Sequence, residues 1–77
     1  SDELEESYEE RQHRLATARE ALDTLNRNDR ELIIDHYFHQ LPYAEMARRR
    51  GRTTGAVAKA TNRAVQTLHR WLANRCH

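Results

Sequence analysis

The chain has one cysteine, one proline and two glycines among its 77 residues. The lone Cys76 cannot close an internal disulfide, and a reducing, cytoplasmic setting fits that usage. No apolar run is long enough to cross a membrane, and no signal-like apolar stretch is present. No Gly-rich phosphate loop, clustered carboxylate site, or Ser/His/Asp or Cys/His spacing points to catalysis. His36 and His39 are three apart with no cysteine near, so they read as surface or boundary residues and not as metal ligands. His13, His69 and His77 are scattered likewise, and Cys76-His77 reads as a chain end. No cofactor is called for.

What the chain does hold is charge, at 32% of residues, beside 38% apolar content. A chain of this length forms one domain and buries only about 60% of the surface its unfolded form exposes. Its core must be shared among all its helices. The net charge of +1 hides an asymmetry: residues 1–43 carry eleven acids and five Lys/Arg, a net −6, while residues 44–77 carry one acid, Glu45, and eight Lys/Arg, a net +7. That split points to a basic working surface in the second half.

Spacing predicts helices throughout, and no stretch calls for a strand. Residues 1–7 are expected to fray, with Ser1 or Ser7 as cap; Ser7 and Glu10 have capping-box spacing. From Tyr8 to Leu25, Leu15, Ala18, Leu22 and Leu25 form one apolar stripe, which Leu4, Tyr8 and Arg11 extend backwards. Glu10 and Arg14 stand at a helix-supporting (i, i+4) spacing. Asn28, with Glu31 three residues on, is expected to cap a second helix over about 29–38. Its apolar face is Ile33, Ile34, Tyr37 and Phe38, and Leu41 closes the loop. Pro42 suits a first helical turn, and a third helix is expected over 42–50 with Tyr43, Met46 and Ala47 inward. Thr53 or Thr54 then caps a fourth helix reaching about Asn74, with Val57, Ala60, Ala64, Leu68 and Trp71 inward.

Residues 42–74 have the layout of a helix-turn-helix. Ala47 supplies the small residue where two helices cross. Gly51, four residues later, supplies a turn position tolerant of positive φ. Val57 supplies the apolar anchor six residues further on, with Ala60 behind it. A 100° step per residue then turns Arg52, Gly55, Lys59, Asn62, Arg63, Gln66 and Arg70 outward, with Thr54 and Ala58 on the flank. Gly55, Ala56 and Ala58 are small enough to let the helix sit deep in a major groove. Arg49, Arg52, Thr53 and Thr54, with the open N–H groups of the helix start, suit phosphates. Lys59 and Asn62 suit base edges, Asn pairing bidentately with adenine. Arg63 completes the candidate DNA-binding set; the alternative reading of the Arg48-Arg49-Arg50 run is an ordinary solvated stretch, and Arg48 fits that as well as it fits DNA contact.

The stretch L-P-Y-A-E-M-A-R-R-R-G-R-T-T-G-A-V, followed by N-R-A and Leu68, resembles region 4 of bacterial sigma factors of the sigma-70 superfamily, and most of all the extracytoplasmic-function branch. Glu45, Ala47, Gly51, Thr53, Gly55, Val57, Arg63, Ala64 and Leu68 fall on that family's marked positions. Upstream, ALDTLNRNDRELIIDHYFHQL is similar to the family's preceding stretch through Leu22, Leu25 and Arg30. The likeness covers about residues 20–72. Three positions differ: Ala58 stands where the family has a basic residue, Arg50 where it has an apolar one, and the apolar position ahead of Arg63 falls in the Thr61-Asn62 neighbourhood.

The resemblance implies an all-α, four-helix compact domain with a C-terminal helix-turn-helix. It implies reading of the promoter −35 element in double-stranded DNA through the last helix, docking on the β flap of RNA polymerase core, and coverage by an anti-sigma factor. It implies no catalytic residues and no membrane partner. With no region that binds the −10 element, the chain is expected to be a fragment of a sigma factor or a stand-alone relative. Two other readings share the sequence. One is a protein-interaction module using the acidic half and apolar residues such as Ile33, Phe38, Trp71 or Leu72. The other is a LuxR-type helix-turn-helix regulator domain, against which the Arg63-Ala64 pair counts.

Overall fold

A computed structural model describes residues 5–75. Ser1, Leu4 and Cys76-His77, to which the sequence assigns a cap, part of a stripe and a chain end, lie outside the described residues. Four helices follow in order: α1 (Tyr8–Asp23), α2 (Arg27–Ile33, which widens into a π-helical segment over Ile34–Phe38), α3 (Tyr43–Arg50) and α4 (Thr54–Arg75). This is the all-α architecture with a C-terminal helix-turn-helix that the spacing predicts, with no strand among the described residues.

Helix α1 starts at the expected cap, where the Ser7 hydroxyl accepts from the Glu10 amide at 3.1 Å. The expected Glu10–Arg14 pair is replaced by a fork from Arg14 onto both oxygens of Glu6, at 2.8 and 3.0 Å. The predicted stripe is only half used. Leu25 is buried and Leu22 half-buried, whereas Ala18 is exposed, Leu15 is 46% exposed and Tyr8 76%. The cause lies at the other end of the chain. Leu25 and Leu22 pack beside Ala64, Val65 and Leu68, and Glu20 pairs with Arg75 at 2.7 Å, where α4 ends. The two helices therefore run in opposite senses, and the first turns of α1 extend past Arg75 and meet no packing partner among the described residues. α1 itself closes at Asp23, two residues before the predicted Leu25, where Thr24 donates its hydroxyl to the Ala21 carbonyl at 2.6 Å.

Helix α2 begins two residues earlier than Asn28 would set it. The cap is Asn26, whose side-chain oxygen accepts from the Asp29 amide at 2.8 Å. Asp29 thus takes the place expected of Glu31, and its carboxylate accepts in turn from the Asn26 amide group at 3.4 Å. Leu32 and Ile33 are the buried residues of this helix, at 2% and 4% exposure. Beyond Ile33 the helix widens. His39 donates to the Ile34 carbonyl, five residues back, at 3.0 Å, and Leu41 donates to Asp35 at 3.0 Å. The extra residue per turn carries later side chains off the 3.6-residue stripe. Tyr37 and Phe38, predicted inward, are 53% and 66% exposed, and Ile34 is half-buried. The widened turn closes through Gln40 in the left-handed region, φ 56°.

That π segment holds α3 at both ends. His36 stacks on Tyr43 with ring centroids 4.1 Å apart and planes 12° from parallel, and it donates from Nδ1 to the Leu41 carbonyl at 2.9 Å. At the far end Arg50 reaches Asp35 at 3.0 Å, both side chains largely covered. The cation at a position the family keeps apolar is thus accommodated by an ion pair rather than by looser packing. Pro42 caps α3 from outside rather than forming its first turn.

The core has two parts joined along α4. Leu32, Met46, Ala47 and Val57 form one, with Leu41, Tyr43 and Ala60 against it. Leu25, Ile33 and Ala64 form the other. Between them lies Thr61, fully buried, its hydroxyl donating to the Val57 carbonyl at 2.8 Å. That bond satisfies the one polar group of a side chain otherwise shaped like valine, so Thr61 occupies the apolar position ahead of Arg63.

Gly51 connects α3 to α4 at φ 62°, ψ 38°. Arg52 donates to the Ala47 carbonyl at 3.0 Å and Gly51 to Arg48 at 3.4 Å, the paired bonds of a left-handed helix stop. A Cβ at Gly51 would meet nothing within 4 Å. Gly51→Ala therefore carries only the backbone cost of that conformation, about 1–2 kcal/mol. Urea unfolding is expected to show that loss, and a change under about 0.5 kcal/mol would mean the turn relaxes another way.

Candidate nucleic-acid interface

The turn Gly51–Thr53 aims the start of α4 outward. Thr53, not Thr54, is the cap: its hydroxyl oxygen accepts from the Ala56 amide at 3.1 Å, and its carbonyl accepts from Val57 at 3.1 Å. The hydroxyl hydrogen is still able to donate. The first turn of α4 is exposed at Thr54 and Gly55. A helix start of this kind presents N–H groups and a positive dipole end to an anion.

Every residue assigned to the outer face is exposed: Arg52, Gly55, Lys59, Asn62, Arg63, Gln66 and Arg70. Val57, Thr61 and Ala64 are fully buried on the opposite side. Ala56 and Ala58 lie half-buried on the two flanks, so the surface beside Val57 is low. The candidate set Arg49, Arg52, Thr53, Thr54, Gly55, Ala56, Ala58, Lys59, Asn62 and Arg63 thus falls on the end of α3, the turn and the first three turns of α4. A shallow, small-residue strip there runs between hydroxyls on one side and long donors on the other.

The cations differ in how they are held. Arg52, Lys59 and Arg63 enter no ion pair among the described residues, whereas Arg48 and Arg49 both converge on Glu45. Arg48 Nε donates to one Glu45 oxygen at 2.9 Å and Arg49 Nε to the other at 3.0 Å. The sequence carries the signal for this, Glu45 standing three and four residues ahead of the two arginines. These contacts, Arg48 first and Arg49 next, hold the Glu45 carboxyl at about 2, below its ordinary 4.5. A depressed carboxyl stabilises the folded chain above pH 4.5 and loses that contribution as pH falls towards 2. A carboxyl-resolved NMR titration is expected to show Glu45 ionised at pH 3.5, and a midpoint near 4.5 would remove the three-residue cluster.

A second surface lies away from this strip. Ile33, Tyr37, Phe38, Val65, Leu68 and His69 line an open apolar groove of about 460 Å³ between the π segment and the second half of α4. Trp71 and Leu72, further along α4, are half-buried. Among the described residues, no group of three His, Cys, Asp or Glu could hold a metal ion, and no helix is long and apolar enough to cross a membrane.

No curated protein and no solved structure matches the chain. The family model described as "Sigma-70, region 4" matches residues 15–68, well over half of the chain.

Proposed function

Because the chain belongs to the sigma-70 region 4 family, a family of DNA-binding domains and not of enzymes, we propose that it binds the promoter −35 element in double-stranded DNA through the outer face of α4. The carrying observation is the exposed strip from Arg52 to Arg63, backed by a fully buried Val57-Thr61-Ala64 row. The strip is narrow where Gly55, Ala56 and Ala58 lie and so enters a major groove, about 12 Å wide. Arg52, Thr53 and Thr54 contact phosphates at the groove edge, and Arg49 lies beside them, paired with Glu45. Lys59, Asn62 and Arg63 reach inward, with Asn62 the side chain suited to adenine. Ala58 offers a methyl where relatives offer a cation, so base choice falls to Lys59 and Asn62. In this reading residues 1–77 act as a single DNA-binding unit within transcription initiation, in the cytoplasm.

Binding by this unit alone is weak and salt-dependent, with non-specific Kd on the order of 10⁻⁴–10⁻⁶ M. Asn62→Ala is expected to change base preference at one position by about 1–3 kcal/mol. Selection from random duplex DNA with the parent and the variant measures it, and an identical selected motif from both would remove Asn62 as a base reader.

The apolar groove favours a companion role. A surface of this kind, with Phe38 66% exposed at its edge, fits the side of the domain that docks the β flap of RNA polymerase or is covered by an anti-sigma factor. Capture of the flap by the parent and not by Phe38→Glu, with DNA binding intact in both, supports that role. Equal capture by both removes it.

A further inference from the structure

Glu45 is the only acid in residues 44–77, and its position beside the candidate interface gives it a use. Arg48 lays its guanidinium fork across both Glu45 oxygens, and Arg49 donates its Nε to Oε1 at 3.0 Å. This is the geometry by which the same fork takes a phosphate. Arg50, the third of the run, is turned away onto Asp35. The cations nearest the turn therefore divide into an available set, Arg52, Lys59 and Arg63, and a set already holding an anion. Surface carboxylate pairs are weak and screened by salt, but Glu45 is tethered within one helical turn of both arginines, so a DNA phosphate must compete with it for either one.

We propose that Glu45 is an internal competitor for DNA phosphate at Arg48 and Arg49, lowering the sequence-independent part of DNA binding. It rests on the duplex-binding reading above and sets the strength of that same site. The consequence is that base contacts from α4 make up a larger share of total affinity than the charge of the strip suggests.

The test is a titration of a short duplex of arbitrary sequence, followed by fluorescence anisotropy across a series of salt concentrations. Glu45→Gln is expected to bind about three- to tenfold tighter at low salt. Its plot of log K against log salt should be steeper by roughly 0.9 for each arginine that gains a phosphate. Glu45→Asp, which keeps the anion, should keep the parent's slope. A folded Glu45→Gln chain with the parent's affinity and slope overturns the proposal. Should that variant lose helicity, Glu45→Ala is read in its place: a slope steeper by roughly 0.9 per arginine supports the competitor role, and the parent's slope overturns it. A parent that binds no duplex overturns both this and the duplex-binding reading. A parent that binds and responds to Asn62→Ala, but not to Glu45→Gln, overturns this proposal alone.

Discussion

Replacing Lys59 and Arg63 together by alanine is expected to weaken duplex binding at least tenfold, and to leave folding untouched. Both side chains are exposed, enter no ion pair among the described residues, and sit on the far side of α4 from Val57, Thr61 and Ala64. Each lost base-edge contact is worth about 1–3 kcal/mol, and each lost phosphate contact lowers the salt slope by about 1. The two outcomes separate the roles. A uniform loss across sequences with a slope reduced by about 2 assigns both to phosphates. A loss concentrated on the selected motif assigns at least one to a base. Anisotropy titration at two salt concentrations reads the difference, and thermal unfolding checks the fold. Unchanged binding by the double variant would remove this face of α4 from DNA recognition.

The largest expected effect on stability is at Met46. It is fully buried in α3 and packs with Leu32, Ala47 and Val57 in the cluster that joins the two helices of the helix-turn-helix. Met46→Ala should cost about 2–5 kcal/mol, the lost transfer energy plus the cavity left behind. A domain of this size has a total of about 4–12 kcal/mol, so the variant stands close to the unfolding threshold at 37 °C. Urea denaturation with an unchanged m-value tests this. A loss under about 1 kcal/mol would mean that α3 closes onto α4 and fills the space.

The helix-turn-helix was legible because its constraints are local. Gly51 answers a left-handed backbone, Thr53 a helix start, and Val57 with Ala64 a 3.6-residue period, each readable within a few residues. The outward face followed from the same period. What escaped depended on partners distant in sequence or on changes of period. The stripe of α1 is continuous in sequence, but only Leu22 and Leu25 meet α4, because α4 ends at the level of Glu20. Tyr37 and Phe38 keep the helical spacing, yet the π widening after Ile33 turns them outward. Asn26 and Asn28 both precede an acid by three residues, so spacing alone does not choose between them. Thr61 reads as polar until its hydroxyl is seen bonded to the Val57 carbonyl one turn back. Arg50 reads as a misfit until Asp35 is placed beside it.

The opposed directions of α1 and α4 have a further effect. Glu5, Glu6, Glu9 and Glu10 stand beyond the Arg75 end of α4, and the strip at Arg52–Arg63 lies at the other end. About 24 Å of helix separates Lys59 from Arg75. The net charge of only +1 therefore hides a separation in space as well as in sequence, with the Glu5–Glu10 carboxylates near the Arg75 end of α4 and Arg52, Lys59 and Arg63 at the other. If α4 takes the duplex as proposed, that separation favours approach with the turn before α4 leading, and association is expected to slow as added salt screens the field.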